Sequence, residues 1–294
     1  MGKVIALANQ KGGVGKTTSC INLAASLASL KKKVLLIDID PQGNATMGSG
    51  VNKHEVEFSI NDVLITEISI QQARIDASLA GYDLIAGNAN TTEAEIQLFQ
   101  FEQREQRLAQ ALAPIKEDYD FILIDCPPSL NMLTLNALTA ANSVFIPIQC
   151  EYFALEGLSS LLETVEQIRE SLNSELQVEG VLRTMYDARN RLTMDVSDQL
   201  VQYFGKQVYK AIIPRNVRLA EAPSHGLPII KYDKYSKGSL AYLALAKEFI
   251  RKNKAVQKVA QLTSKSKPKL SAVKTQAKSK SAKSRSNKSK VKMA

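Results

Sequence analysis

The chain has 294 residues, 45% of them hydrophobic but only 6% aromatic, and a formal net charge of +9. That length can bury one substantial core or two modest ones, and the composition suits an α/β domain built from Ala, Leu, Ile and Val. No apolar run approaches the roughly 20 residues needed to cross a bilayer, and site-like residues begin by position 11, which leaves no room for a signal peptide.

The first apolar run, residues 3–8 (KVIALA), reads as a strand. It leads into Asn9-Gln10-Lys11-Gly12-Gly13-Val14-Gly15-Lys16-Thr17-Thr18 and a helix over 16–30. Small residues let the backbone curl so that successive N–H groups face phosphate oxygens, and the helix adds the positive end of its dipole. In this pattern Lys16 neutralises β- and γ-phosphate charge, and the Thr17 hydroxyl ligates Mg²⁺. Gln10 stands where the first glycine of GxxxxGK[ST] belongs, and Lys11 is an additional lysine.

A second strand over 33–37 runs into Asp38-Ile39-Asp40-Pro41-Gln42-Gly43-Asn44. Two carboxylates at the C-terminal end of a buried strand stand where ligands of open α/β sheets bind, and beside a phosphate they suit the handling of water and metal. A strand over 82–86 and a helix over 92–112 follow. The strand over 119–124 ends in Asp125-Cys126-Pro127-Pro128, an arrangement in which Asp125 bonds Mg²⁺-bound water.

Further helices are predicted over 130–141, 155–172, 194–204 and 238–252, and further strands over 143–148, 176–182 and 207–213. Continuously apolar strands alternating with amphipathic helices predict an α/β fold, a doubly wound, mostly parallel sheet. The three cysteines (Cys20, Cys126, Cys150) are widely spaced, with no CxxC, and read as buried thiols in a reducing cytoplasm.

The charge is split. Of 38 lysines and arginines, 15 fall in residues 251–294, which hold no acidic residue; residues 1–250 keep 23 basic against 29 acidic side chains, a net of about −6. The expected organisation is a domain over 1–252 and a Lys/Ser-rich, disordered basic tail over 253–294, with 255–262 able to extend the last helix by a turn or two. Unopposed cations such as Lys265, Lys267, Lys269, Lys274, Lys278 and Lys280 suit backbone phosphates without base readout.

The segments KGGVGKTT (11–18), DIDPQGN (38–44) and FILIDCPPS (121–129) resemble the deviant Walker A ATPases of the ParA/MinD superfamily. Residues 149–157 (QCEYFALEG), 184–189 (TMYDAR) and 213–226 (IPRNVRLAEAPSHG) are similar to its small chromosomal ParA, Soj-like branch, and the resemblance covers residues 1 to about 250. It implies a P-loop NTPase domain and a weak ATPase using ATP and Mg²⁺, with Lys11, Gly12, Gly13, Val14, Gly15, Lys16, Thr17 and Thr18 on the nucleotide. By the same resemblance Lys11 contacts the partner's nucleotide in an ATP-dependent homodimer, Asp40 positions the attacking water, and Asp38 supports the Mg²⁺ shell. Pro214 and Asn216 contact adenine. Arg189 and Arg218, with Lys210, Arg215 and Lys231, meet non-specific double-stranded DNA. The resemblance also implies a ParB-like centromere-binding protein that stimulates hydrolysis, and a cytoplasmic, nucleoid-associated protein. Arg183 departs from the apolar or small residue usual at its position, and either adds a basic contact or snorkels at a strand end.

Two other readings share the fold. A MinD-like, membrane-associated positioning ATPase needs a C-terminal amphipathic helix with bulky apolar residues; here Val256, Val259 and Leu262 are followed by almost nothing apolar. An iron–sulfur reductase subunit needs paired cysteines, which the positions of Cys126 and Cys150 do not suggest.

Overall fold

The structure, a computed structural model, describes residues 2–66 and 68–266. Its elements in chain order begin with β1 (Lys3–Leu7), α1 (Lys16–Ser29), β2 (Val34–Asp38), α2 (Asn44–Gly48), α3 (Ile60–Ile65) and α4 (Ile70–Ala73). The middle of the chain forms β3 (Arg74–Ala77), β4 (Tyr82–Ile85), α5 (Thr91–Leu98), α6 (Arg107–Leu112), β5 (Phe121–Asp125), α7 (Met132–Ala140) and β6 (Ser143–Gln149). The remainder is α8 (Ala154–Ser171), β7 (Gln177–Tyr186), α9 (Arg191–Phe204), β8 (Val208–Pro214), α10 (Val217–Glu221), α11 (Ile229–Tyr232) and α12 (Lys237–Ser266).

One eight-stranded sheet runs β3-β4-β2-β5-β1-β6-β7-β8, parallel except for β3 at its edge. Side chains alternate across a strand, so Val4 and Ala6 of β1 enter one core layer and Ile5 and Leu7 the other. The first layer continues through Ile122, Ile124 and Val144 to Leu133, Leu158 and Val165 on helices. The second continues through Leu36, Leu123 and Phe145 to Leu23, Leu27 and Phe249. Burial on both faces is why these strands are unbroken apolar runs in the sequence. The expected doubly wound α/β sheet is present, and β1 sits between β5 and β6, so its C-terminal loop opens where the connections part to either side.

The predicted helix over 92–112 is two helices. Gln103 lies in left-handed backbone at φ 53°, and the buried Asn136 of α7 takes up the groups this break releases. Its Nδ2 donates to the Arg104 carbonyl (2.8 Å), and its Oδ1 accepts from the Leu108 amide (3.1 Å). A tertiary contact here overrides local helical spacing. The edge strand β3 escaped the sequence reading because Arg74–Ala77 is four residues long and mostly exposed, too short for alternation to register.

The compact unit ends at Lys252. The last helix does not stop there: its backbone continues to Ser266, four residues past the extension expected from 255–262. The stretch contains the helix formers Lys, Ala and Gln and meets no proline before Pro268. Lys265 therefore belongs to the end of α12, while Lys267, Lys269, Lys274, Lys278 and Lys280, and with them most of the expected tail, lie outside the described residues.

Candidate functional site

The loop after β1 is built by glycine. Gly13 and Gly15 adopt φ 73° and 88°, where a Cβ is disfavoured, and a side chain added at Gly12 or Gly13 would meet no protein atom. The inner side of the loop is thus open, while its outer side is anchored. Thr184 Oγ1 on β7 donates to the Val14 carbonyl (2.7 Å), Asn9 Nδ2 to the Pro147 carbonyl (2.8 Å), and the Lys11 amide to Asn9 Oδ1 (3.0 Å). Gly15 precedes α1 and offers no side-chain cap, which leaves the first amides of that helix to a ligand.

An open pocket of about 610 Å³ lies against the loop, lined by Gly12, Gly13, Gly15, Lys16, Thr17, Thr18, Asp40 and Pro127. Lys16 is buried, and desolvation lowers its pKa, an effect opposed by the nearby Asp125, Cys126 and Asp40. A buried cation at the mouth of a helix N-terminus is suited to an anion of more than one charge.

Three carboxylates converge here. Asp38 and Asp125 are register partners on the adjacent strands β2 and β5, and both are fully buried. Burial pushes the Asp38 carboxyl up to about 6, although it accepts from the Thr46 amide and hydroxyl, each at 2.7 Å. Burial also drives the Asp125 carboxyl well above the carboxylate range, and neighbouring Asp38 adds to the rise. Neither Asp125 oxygen makes a hydrogen bond of good geometry; the Thr17 hydroxyl lies close enough to hold its pKa down in part but does not satisfy it. Asp40 accepts from the Gln42 amide through Oδ1 (2.9 Å) and lines the pocket.

Several residues of this arrangement carry no sequence signal. Thr46 locks Asp38 and in turn accepts the Gly87 amide (2.9 Å). A Cβ on Gly87 would lie 2.6 Å from the Asp38 carbonyl oxygen, so only glycine lets β4 end this close. Thr92, Glu95 and Asn131 form the far wall of the pocket, with Asn131 Nδ2 donating to Glu95 (2.9 Å). Thr92 and Glu95 come from α5 and Asn131 caps the start of α7, both remote in sequence from the loop, and only the fold could disclose them.

A second pocket of about 410 Å³ shares Gly13, Gly15 and Thr18 with the first and includes Pro214 and Asn216, with Thr184, Met185 and Leu219. Asn216 Oδ1 also caps α10 by accepting from the Leu219 amide (3.2 Å). The Lys11 ammonium pairs with Glu151, just beyond the end of β6, at 2.7 Å.

The basic residues fall in two places. Arg189 and Arg215 are exposed on the loops after β7 and β8, which are joined through the Arg215 amide and the Tyr186 carbonyl (3.4 Å). Arg218 on α10 pairs with Glu221 (2.9 Å) and Asp233 (3.7 Å), and Lys231 is exposed on α11. Lys234, Tyr235 and Lys237, exposed just beyond Asp233, extend this surface and were missed because isolated lysines carry no pattern. Lys210 stands apart near the middle of β8, its amide bonded to Glu248 (3.0 Å). Arg183 neither snorkels nor offers a surface contact. It is buried, donating to Ser197 Oγ and to the Tyr209 carbonyl, both at 2.9 Å, and so ties β7 to α9 and β8.

A glycine-rich loop between a central parallel strand and a helix, with a buried lysine and a strand-end aspartate, defines a P-loop nucleoside triphosphatase fold. A family profile described as an AAA domain matches residues 2–178. The chain is 54% identical over 248 residues to the sporulation initiation inhibitor protein Soj of Bacillus subtilis, covering 84% of this chain and 98% of that one. It is 49% identical over 254 residues to the chromosome partitioning protein ParA of Caulobacter vibrioides, covering 86% and 95%. Among solved structures, cobyrinic acid a,c-diamide synthase from Mycobacterium smegmatis with bound ADP and magnesium superposes with a TM-score of 0.75 at 35% identity, over 86% and 96% of the two chains. The chain belongs to the ParA/MinD superfamily of P-loop ATPases, in its Soj-like branch.

Proposed function

We propose that this protein is a DNA-partitioning ATPase. Mg-ATP bound at the loop joins two subunits, the dimer binds double-stranded DNA without sequence preference, and a ParB-like centromere-binding protein stimulates the slow hydrolysis that releases it. The reading is carried by Lys11, whose ammonium is partly exposed and held only by an exposed pair with Glu151, where a second subunit's phosphates would meet it.

The residues fit the nucleotide. Gly12, Gly13, Gly15, Lys16, Thr17 and Thr18 border the first pocket and suit the phosphates, and Pro214 and Asn216 border the second, which suits a base; Lys11 and Val14 complete the loop. They fit the metal as well, because Asp125 is a buried carboxylate whose oxygens lack partners, and Mg²⁺ keeps waters that such a group accepts from. Thr17 is the ligand offered by the chain, Asp125 the acceptor for a metal-bound water, and Asp38 the charge behind them. Magnesium supplies neutralisation of the phosphate charge. Phosphoryl transfer asks mainly for alignment and charge stabilisation; Lys16 stabilises the transferred group, and Asp40, bordering the pocket, orients the attacking water.

On the outer surface, Arg189, Arg215, Arg218 and Lys231, with Lys234 and Lys237, form the DNA face, and two copies in a dimer double its charge. Lys210 is a peripheral contact. Residues 1–252 are the ATPase domain, and the basic segment beyond adds affinity for phosphate backbones. The site of action is the cytoplasm, on the nucleoid. Among the described residues no helix is long and apolar enough to cross a membrane, and the few apolar residues from 253 onward favour the DNA reading over a MinD-like one, which calls for a bulky apolar face.

The test is DNA binding and oligomeric state compared with ADP, ATP and a non-hydrolysable analogue. A dimer that binds DNA with the analogue and not with ADP is expected. A monomer at saturating Mg-analogue would overturn the reading.

A further inference from the structure

The functional reading leaves open how a phosphate held at one end of α1 alters a surface made by residues 215–237. Asn22 bridges the two. It sits on α1, six residues past Lys16, and is buried. Its Nδ2 donates to the Thr18 carbonyl (2.7 Å), and its Oδ1 accepts from the Ile229 amide (2.7 Å), 207 residues away in sequence. Ile229 opens α11, and Pro228 before it offers no side-chain cap. The Asn22 oxygen therefore satisfies an amide that the fold otherwise leaves without an acceptor, and burial makes that bond expensive to lose.

From Ile229 the connection continues by backbone. The Asp233 amide donates to the Ile229 carbonyl (2.8 Å), and the Asp233 carboxylate takes Arg218. Tyr232 Oη donates to Glu221 (3.2 Å), the other partner of Arg218. A second contact runs in parallel from the aspartate side. α2 follows Asp38 and Asp40 and leads to Gly50, where a Cβ would lie 2.8 Å from the Gly226 carbonyl oxygen. Both nucleotide-facing segments thus abut the region that carries Arg218 and Lys231.

We propose that Asn22 is a positioning residue that couples the phosphate end of α1 to α11, so that nucleotide occupancy sets the placement of Lys231 and Arg218. This rests on the DNA-binding reading above. Lying between two sites does not by itself make a residue a coupler. The argument stands on two short, buried bonds, one to the carbonyl of a phosphate-loop residue and one to the first amide of the helix that bears a basic side chain.

Asn22→Ala removes both bonds, while Asn22→Asp keeps an acceptor for Ile229. For each, DNA affinity is measured with ADP and with a non-hydrolysable ATP analogue, alongside nucleotide affinity. The ratio of the two DNA affinities should fall at least about fivefold in Asn22→Ala, with nucleotide affinity retained, and stay low in Asn22→Asp, which keeps the acceptor for Ile229 but loses the donor to Thr18; full recovery in Asn22→Asp would reduce Asn22 to a cap on α11 and overturn the proposal. An unchanged ratio in Asn22→Ala overturns the proposal. Hydrogen exchange of the Ile229 amide in the unaltered protein provides a test that needs no variant to fold: protection must change on adding nucleotide, and identical protection overturns the proposal. Equal DNA affinity of the unaltered protein with both nucleotides would sink the functional reading instead, and the exchange result would still decide whether α11 senses the loop.

Discussion

The Lys11 ammonium and the Glu151 carboxylate meet at 2.7 Å across 140 residues of sequence, with 41% and 44% of their side chains exposed. The bond holds the extra lysine of the loop at the surface, beside the exposed aromatic pair Tyr152 and Phe153. An exposed ion pair is worth about 0.2–1 kcal/mol, so in the proposed dimer a partner's phosphate would displace it at little cost. Glu151→Ala removes that competitor and should tighten analogue-driven dimerisation by up to about fivefold at low salt, as read by sedimentation. The gain should fade at high salt. A weaker dimer would show that Glu151 itself contacts the second subunit.

Asp125 is a buried carboxylate without a hydrogen-bond partner. Burying this unpartnered carboxyl, which must take up a proton or carry an unsolvated charge, is a cost to the nucleotide-free fold, and a metal-bound water would relieve it. Asp125→Asn should therefore raise the melting temperature of the nucleotide-free protein by a few degrees, at roughly 2–4 °C per kcal/mol for a domain of this size. It should also abolish the extra stabilisation that Mg²⁺ adds to bound nucleotide. A lowered melting temperature without ligand would mean that Asp125 is satisfied in the folded chain.

The Asp38 carboxyl, raised by burial to about 6 from an ordinary 3.8, holds its proton more tightly folded than unfolded. The folded state binds more protons between those values, so this group lowers stability as pH rises from about 4 to 6, and the neighbouring Asp125, raised further, acts with the same sign. Asp120 and Asp187, lowered by Lys32 and Arg189 respectively, act with the opposite sign below pH 4. Urea unfolding of wild type and Asp38→Asn at pH 4, 5 and 6 isolates the contribution. Parallel pH profiles would show that Asp38 is ionised in the fold at no cost.

Arg218 is held by Glu221 and Asp233, and Arg189 by Asp187. Arg218→Ala should keep nucleotide binding and lose most DNA affinity at moderate salt. The log-log salt slope should shrink by roughly 0.9 for each DNA phosphate that the variant no longer neutralises. Arg189→Ala should act in the same direction, and Lys210→Ala, on a separate part of the surface, much less. Anisotropy titrations over a salt series read all three.

Deleting residues 265–294 removes eleven of the fifteen basic side chains of the C-terminal segment and no acidic one. If these engage about five phosphates, the salt slope should lose about 4 to 5 with either nucleotide. An unchanged slope would leave the segment without a role on DNA.

Much of the site was legible because its chemistry is contiguous. Gly13, Gly15, Lys16 and Thr17 lie on one loop, and a loop's backbone geometry is written in its own residues. Asp38 and Asp125 were legible as strand ends, since continuous apolar runs mark buried strands. Gly87, Thr92, Glu95 and Asn131 were not, because each reaches the site from a distant segment and none belongs to a motif; Thr46, two residues past Asn44, and Thr184, within 184–189, were in view but their contacts with Asp38 and Val14 were not. The break in the helix predicted over 92–112 was hidden for the same reason, its cause being Asn136 of α7.

The sequence by itself determined the sheet class, the phosphate loop, the two acidic strand ends and the split of charge between residues 1–250 and the remainder, because these depend on local periodicity and composition. Only the tertiary structure decided the state of each group. It left Asp125 without a partner, gave Asp38 to Thr46, turned Lys11 toward Glu151, buried Arg183 as a cross-link and set Asn22 against Ile229. Desolvation and hydrogen bonding depend on which distant atoms arrive beside a side chain, and no local pattern carries that information.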